Sequence, residues 1–202
     1  MREHLEAVAA VPVSLVHYLD AGDLSSARAV VLSGSSAPWP EHDPNALEEL
    51  GKRLVASERP VLGICAGLQL LAMAVGGEVR PMADRGGGAE RGFSPLEVLD
   101  DTDLLRGLPA RATVFQDHTD EIVTVPKGFE ILARTGSCLV QAIADRERRW
   151  WGAQFHPERT TPEHPHGGQV LRNFFALAGF SAPTRCHAYT RCERLRGHPG
   201  LL

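Results

Sequence analysis

Cys65 stands within Gly63-Ile64-Cys65-Ala66-Gly67, the pattern of a nucleophile elbow with cysteine in place of serine. Small flanking residues permit the sharp strand-to-helix turn that lifts the central side chain above a sheet. A helix starting behind it brings backbone N–H groups and the positive end of its dipole toward the sulfur, favouring the thiolate that attacks carbonyl carbon. The amide of Ala66 and one from the turn Ser33-Gly34-Ser35-Ser36 are then candidate donors to the oxyanion of a tetrahedral intermediate. A thiolate of this kind needs a base that returns a proton to the leaving group, and that base needs a partner to fix its tautomer. His156 and Glu158 supply both if the strand reaching Phe155 stays extended, because the two side chains then project to one side. A buried cysteine alone, or a histidine at a strand end alone, is more often structural. The two segments together point to acyl transfer.

The elements that must position these residues follow from hydrophobic patterning. Val61-Leu62-Gly63-Ile64 is apolar throughout, as a strand buried on both faces of a parallel sheet should be, and it runs directly into Cys65. Leu68 to Val75 is helical in propensity and stops at Gly76-Gly77. Upstream, Val13-Ser14-Leu15-Val16 and Ala29-Val30-Val31-Leu32 read as strands. Asp43-Pro44 reads as an N-cap followed by proline at the first helical position, with Leu47, Leu50, Leu54 and Val55 at helical spacing. Glu48 with Lys52, and Glu49 with Arg53, are expected to pair on the wet face of that helix. Strand-like pieces follow at 96–98, 112–115, 122–125, 130–133 and 139–143, a meander beside an α/β core. A further strand covers 150–155, and a last helix runs from about residue 169 to 178. Residues 1–180 thus read as one domain, and 181–202, with Arg185, Arg191, Arg194 and Arg196 against Glu193, as a disordered basic tail.

Composition narrows the function classes. The chain has 202 residues, 43% hydrophobic and 23% charged, with a net charge of −4, which suits one globular domain and argues against nucleic acid as a partner. No apolar run approaches the ~18 residues of a membrane helix, and the start Met1-Arg2-Glu3-His4-Leu5-Glu6 is not a secretory leader. The expected location is cytoplasmic, with the four cysteines reduced. The loop 86–92 lacks the strand-then-helix setting of a dinucleotide fingerprint and carries no phosphate-binding Gly-Lys-Ser/Thr. No cofactor is expected, and no metal: Cys186 and Cys192 with His187 and His198 do not have a usual zinc spacing.

The segments Pro60-Val61-Leu62-Gly63-Ile64-Cys65-Ala66-Gly67-Leu68-Gln69 and Gly152-Ala153-Gln154-Phe155-His156-Pro157-Glu158 resemble the two signatures of class I glutamine amidotransferases. The resemblance covers roughly residues 11–179. From Gln116-Asp117-His118-Thr119-Asp120-Glu121 through Glu158, the chain is most similar to the amidotransferase part of the GMP synthetase type. The resemblance implies an α/β, three-layer flavodoxin-like fold with a mostly parallel central sheet and a small antiparallel extension. It implies hydrolysis of glutamine through a γ-glutamyl thioester on Cys65, with ammonia passed to a synthetase. By position, Cys65 matches the nucleophile, His156 the base, Glu158 its orienting acid and Gln69 the glutamine-binding Gln of the elbow helix. Gly34 and Ser35 fall in the loop that gives the second oxyanion amide, beside Ala66. The backbone around Thr119 and Asp120 matches the part that holds the α-amino and α-carboxyl ends of glutamine, and His118 a contact to substrate or partner. Because no residues here look fit to bind ATP, the implied partner is an ATP-dependent synthetase on a separate chain.

Two departures from the family pattern stand out. The oxyanion loop, normally Ser-Gly-Gly-Pro, is here Ser33-Gly34-Ser35-Ser36-Ala37-Pro38, and a Ser35 forced to positive φ would be strained. The chain also opens inside what reads as the first helix, at residues 2–10, so the first strand is missing and the expectation is an incomplete N-terminus. In flavodoxin-like order that strand would lie between the two early strands. Two competing activities fit the same triad: a stand-alone γ-glutamyl hydrolase, and a catalytically weak regulatory or binding subunit.

Overall fold

The computed structural model describes residues 2–180; the tail read as disordered, with Cys186, His187, Cys192 and His198, lies outside them. Nine strands and four α-helices are present among these residues: α1 (Arg2–Ala9), β1 (Val30–Leu32), α2 (Pro44–Ser57), β2 (Val61–Ile64), α3 (Ala66–Ala74), β3 (Glu78–Pro81), β4 (Glu90–Val98), β5 (Arg111–His118), β6 (Asp120–Thr124), β7 (Glu130–Arg134), β8 (Ala142–Asp145), β9 (Trp150–Ala153) and α4 (His166–Leu177). Seven strands form one sheet in the order β1-β2-β9-β8-β7-β4-β5, and β3 pairs with β6 in a small separate ribbon. β1, β2 and β9 are mutually parallel, while β8, β7, β4 and β5 continue the sheet antiparallel.

The three layers follow from period-two alternation in strands buried on both sides. Leu62 and Ile64 of β2, with Trp151 and Ala153 of β9, face a core shared with Leu5 and Ala9 of α1 and Val170, Leu171 and Phe174 of α4. Val61 and Trp150 face the opposite core, filled by Leu50 and Leu54 of α2 and Leu68 and Leu71 of α3. Helix α2 starts as its sequence dictates: the Asp43 carboxylate accepts from the Asn45 and Ala46 amides, and Pro44 occupies the first turn. The sheet curls, so that its far edge returns to the centre: the His156 amide, just beyond β9, donates to the Phe115 carbonyl of β5 at 2.8 Å.

Several elements differ from their sequence expectation. Val13-Ser14-Leu15-Val16 joins no ladder, and Leu15 and Val16 are exposed. A strand requires a neighbour to satisfy its backbone, and β1 stands at the edge of the sheet with β2 as its partner. In α2, Lys52 pairs with both Glu48 (2.9 Å) and Glu49 (2.8 Å), because Arg53 instead reaches back to the Ala21 carbonyl. The strand expected at 139–143 begins only at Ala142, and the last helix starts at His166, ahead of the expected residue 169. There the His166 ring is tied to the backbone of Thr113.

Candidate active site

β2, buried along its whole length, delivers the chain to Cys65, whose φ of 52° and ψ of −112° lie outside the regions ordinary L-residues occupy. Such strain persists only where the surroundings over-determine it, and two glycines do so here. A Cβ on Gly63 would come 2.6 Å from the Gly67 carbonyl oxygen, and one on Gly67 would come 2.3 Å from the Leu32 carbonyl oxygen. The elbow is thus pressed into β1 and the start of α3 with no room for side chains at either shoulder. The Cys65 amide donates to the Ala153 carbonyl of β9 at 2.8 Å. The first hydrogen bond of α3 runs from the Gln69 amide to the Cys65 carbonyl at 3.1 Å, so the Ala66, Gly67 and Leu68 amides lie ahead of the helix's own ladder, as at any helix N-terminus.

His156 and Glu158 come together, although not by the extended run expected. β9 ends at Ala153, the chain bends at Gln154 and Phe155, and Pro157 and Glu158 form a turn. That turn brings Glu158 Oε1 to 2.8 Å from His156 Nδ1. Glu158 Oε2 is buried with no hydrogen-bond partner among the described residues, so the hydrogen bonding of the carboxylate goes to the imidazole. Burial opposes charging His156, but hydrogen bonds to the Cys65 sulfur and the Glu158 carboxylate, with the Coulombic pull of both, raise its pKa to about 10. The ring therefore sits between the sulfur and the carboxylate as a cation, the arrangement of a thiolate–imidazolium pair.

The loop after β1 closes the site from the other side. A Cβ on Gly34 would come 3.0 Å from His156 Cε1 and 3.2 Å from Cys65 Cβ, which places this backbone directly against the reacting pair. Ser35 is not among the described non-glycine residues with positive φ, so the strain considered for the altered loop does not arise. Its hydroxyl instead accepts from the Ala37 amide at 3.1 Å and meets His42 Nε2 at 3.2 Å, folding the longer loop onto itself. Gly34, Ser35 and Ala66 thus bracket the sulfur from two elements.

Gln69 is buried and fully engaged. Its Oε1 accepts from Trp39 Nε1 at 3.0 Å, and its Nε2 donates to the Asp120 carbonyl at 3.1 Å and to Gln154 Oε1 at 3.0 Å. The carbonyls of the 118–120 turn are likewise occupied: Thr119 accepts from the Met82 amide, and Asp120 accepts from His118 Nδ1 as well as Gln69. What this turn leaves for a ligand is its amides and the Asp120 carboxylate. His118 does not fit the expected contact to substrate or partner, because it is only 6% exposed and its other nitrogen meets Glu90 Oε2 at 3.0 Å.

Sequence reasoning assigned no role to Gln154, whose Nε2 lies 3.7 Å from Cys65 Sγ. Its position two residues before His156 in the same motif was the available signal. The Asp117 carbonyl, 3.9 Å from the same sulfur, and Trp39 carried no such signal. Glu90, His118 and Cys138 bring one oxygen, one nitrogen and one sulfur within 4.8 Å of each other. Gln141, Thr135 and Ser137 donate to Glu90, and the Cys138 thiol donates to the Val140 carbonyl, so these groups are satisfied as a hydrogen-bond network.

A strained cysteine on a strand-to-helix elbow, a histidine oriented by a buried carboxylate, and convergent backbone amides define a cysteine-dependent acyl-transfer centre on an α/β fold. The chain belongs to the class-I glutamine amidotransferase family, whose family model matches residues 8–178. It is 42% identical over 120 residues to the glutamine-hydrolyzing subunit of GMP synthase from Pyrococcus furiosus, an alignment spanning 59% of this chain and 61% of that relative. Over 170 residues it is 35% identical to the glutamine-hydrolyzing GMP synthase of Limosilactobacillus reuteri, covering 83% of this chain but 32% of that larger enzyme. Among solved structures, a Thermoplasma acidophilum protein assigned as a GMP synthase subunit superposes with a TM-score of 0.75 at 29% identity, covering 89% of each chain.

Proposed function

We propose that this chain hydrolyses the side-chain amide of glutamine and passes the ammonia to a separate ATP-dependent synthetase of the GMP synthase kind. The observation that carries the reading is the assembly of Cys65, His156 and Glu158 with Gly34 packed against them. In the forward half-reaction the Cys65 thiolate attacks Cδ of glutamine. The oxyanion is held by the Ala66 amide and an amide of Gly34 or Ser35, and the imidazolium of His156 gives its proton to the departing nitrogen. Ammonia leaves and a γ-glutamyl thioester remains. Neutral His156 then takes a proton from water, whose oxygen attacks the thioester. The tetrahedral intermediate collapses to glutamate and the thiolate, and His156 is again the cation. Glu158 holds the tautomer and stabilises the imidazolium without entering the bond changes.

The names of the relatives support glutamine as substrate and a synthetase as partner, and the need for a reduced Cys65 fits a cytoplasmic setting. No helix among the described residues is long and apolar enough to cross a membrane. The deciding experiment combines glutamate release with intact-mass analysis after treatment with an electrophilic glutamine analogue. Glutamate release abolished by Cys65→Ala, with labelling confined to Cys65 and blocked by glutamine, is the expected result. Glutamine turnover surviving in Cys65→Ala would overturn the mechanism. With the partner synthetase present, Cys65→Ala should still support product formation from ammonia.

A further inference from the structure

The antiparallel register of β4 and β5 sets Glu90, the first residue of β4, opposite His118, the last of β5. From that pair a continuous run of hydrogen bonds reaches the nucleophile. Glu90 Oε2 meets His118 Nε2 at 3.0 Å, and His118 Nδ1 meets the Asp120 carbonyl at 3.0 Å. The same carbonyl accepts from Gln69 Nε2 at 3.1 Å, Gln69 Nε2 also donates to Gln154 Oε1 at 3.0 Å, and Gln154 Nε2 lies 3.7 Å from Cys65 Sγ. Glu90 is itself held from behind by Gln141, Thr135 and Ser137. Burial raises its pKa, but the hydrogen bonds from His118, Ser137 and Thr135 outweigh that and leave it below the usual carboxylate value. It is therefore an anion whose position is fixed by several donors at once.

We propose that Glu90 and His118 are positioning residues for glutamine: they clamp the Asp120 carbonyl, and through it the 118–120 turn and the Gln69 amide, in the geometry that receives the amino-acid end of the substrate. The proposal rests on the reading of the site as a glutaminase. The His118 ring bridges a charged anchor on one strand and a peptide carbonyl on the turn, and its burial removes it from contact with a ligand. Removing the ring frees the Asp120 carbonyl from one of its two side-chain donors and leaves Glu90 without one of its own. Cys65, His156 and Glu158 sit on β2 and beyond β9 and share no hydrogen bond with Glu90 or His118. The clamp thus governs binding of the substrate's α-amino and α-carboxyl groups and leaves the attack on Cδ alone.

The test compares Glu90→Gln, His118→Leu and His118→Asn with the wild-type chain. Asparagine places an amide N–H near the position of Nδ1 and keeps the bond to the Asp120 carbonyl. Loss of one hydrogen bond to a charged group corresponds to roughly ten- to hundredfold, so KM for glutamine should rise by about that factor in Glu90→Gln and His118→Leu. The turnover number should stay within about twofold, and His118→Asn should recover much of the loss. Alkylation of Cys65 by iodoacetamide, which has no amino-acid end, should proceed at the wild-type rate in all three and shows in the same samples that the elbow is folded. An unchanged KM in both Glu90→Gln and His118→Leu, or losses confined to turnover, overturns the proposal. A wild-type chain that is alkylated but does not hydrolyse glutamine overturns the functional reading instead, and this inference with it.

Discussion

Gly34 and His156 are in contact through backbone and ring: a single methyl on Gly34 would stand 3.0 Å from His156 Cε1. That distance is tighter than ordinary van der Waals contact, and Cys65 Cβ at 3.2 Å blocks retreat on the other side. Gly34→Ala should therefore displace the imidazole or the loop amide while leaving the core intact. The expected result is a fall in kcat for glutamine hydrolysis of about 10²-fold, the effect of losing one oxyanion donor or misplacing the base. The melting temperature should stay near wild type. Activity equal to wild type would show that the loop after β1 takes no part in the chemistry.

The pKa of His156, raised from 6.5 to about 10, makes a pH prediction of definite sign. A raised base stays protonated above its ordinary value, so the imidazolium persists through neutral pH and is lost only as pH climbs through about 10. Because kcat/KM reports the free enzyme, its alkaline limb should fall near pH 10 with no break near 6.5. The linkage to stability runs the same way: the contribution of the charged ring is complete below pH 6.5 and disappears toward pH 10. Glu158→Gln removes one of the groups that raise the value, so the limb should move to lower pH and kcat should fall by about 10²-fold without vanishing. A limb unmoved by this substitution would remove Glu158 from the triad.

The elbow was legible in the sequence because five contiguous residues carry both the nucleophile and the glycines that its backbone demands, so no distant contact had to be guessed. The His156–Glu158 pair was legible as residue types but not as geometry, since the bend after Ala153 and the turn at Pro157 have no strong local signal. Gln154 lay within reach of period-two reasoning. Glu90 did not: its meeting with His118 is created by a register between β4 and β5, which is set by cross-strand packing. Val13-Ser14-Leu15-Val16 reads as a strand because its composition suits one, yet strand formation depends on a neighbour that no single segment encodes.

Two cysteines among the described residues should behave oppositely toward electrophiles. Cys138 is completely enclosed, and burial drives its pKa up to about 12, with further repulsion from Glu90 and Glu121. At neutral pH it is a thiol that packs as a small apolar group. Cys65 lies beside the His156 cation at the start of α3. Brief treatment of the native chain with iodoacetamide at pH 7, followed by peptide mapping, should modify Cys65 and spare Cys138. Under denaturing conditions the two should react alike. Native labelling of Cys138 at a comparable rate would show that the core around β7 and β8 opens far more readily than its packing implies.

The glycine after the nucleophile is held by backbone rather than by a yielding side chain, and its replacement should cost stability as well as rate. On Gly67 a Cβ would lie 2.3 Å from the Leu32 carbonyl oxygen and 2.7 Å from the carbonyl carbon of the same residue. Relief requires α3 to move away from β1, which would break the packing of Leu68 and Leu71 against the sheet and carry the Ala66 amide off the sulfur. Overpacking of this kind costs about 3 kcal/mol, and a displaced elbow removes the oxyanion donor at the same time. Gly67→Ala should therefore lower the denaturant midpoint and abolish measurable glutamine hydrolysis together. Gly152→Ala meets the Leu68 side chain, which can rotate, so it should keep more of both. Equal losses in the two variants would mean that the close approach of α3 to β1 is not what shapes the elbow.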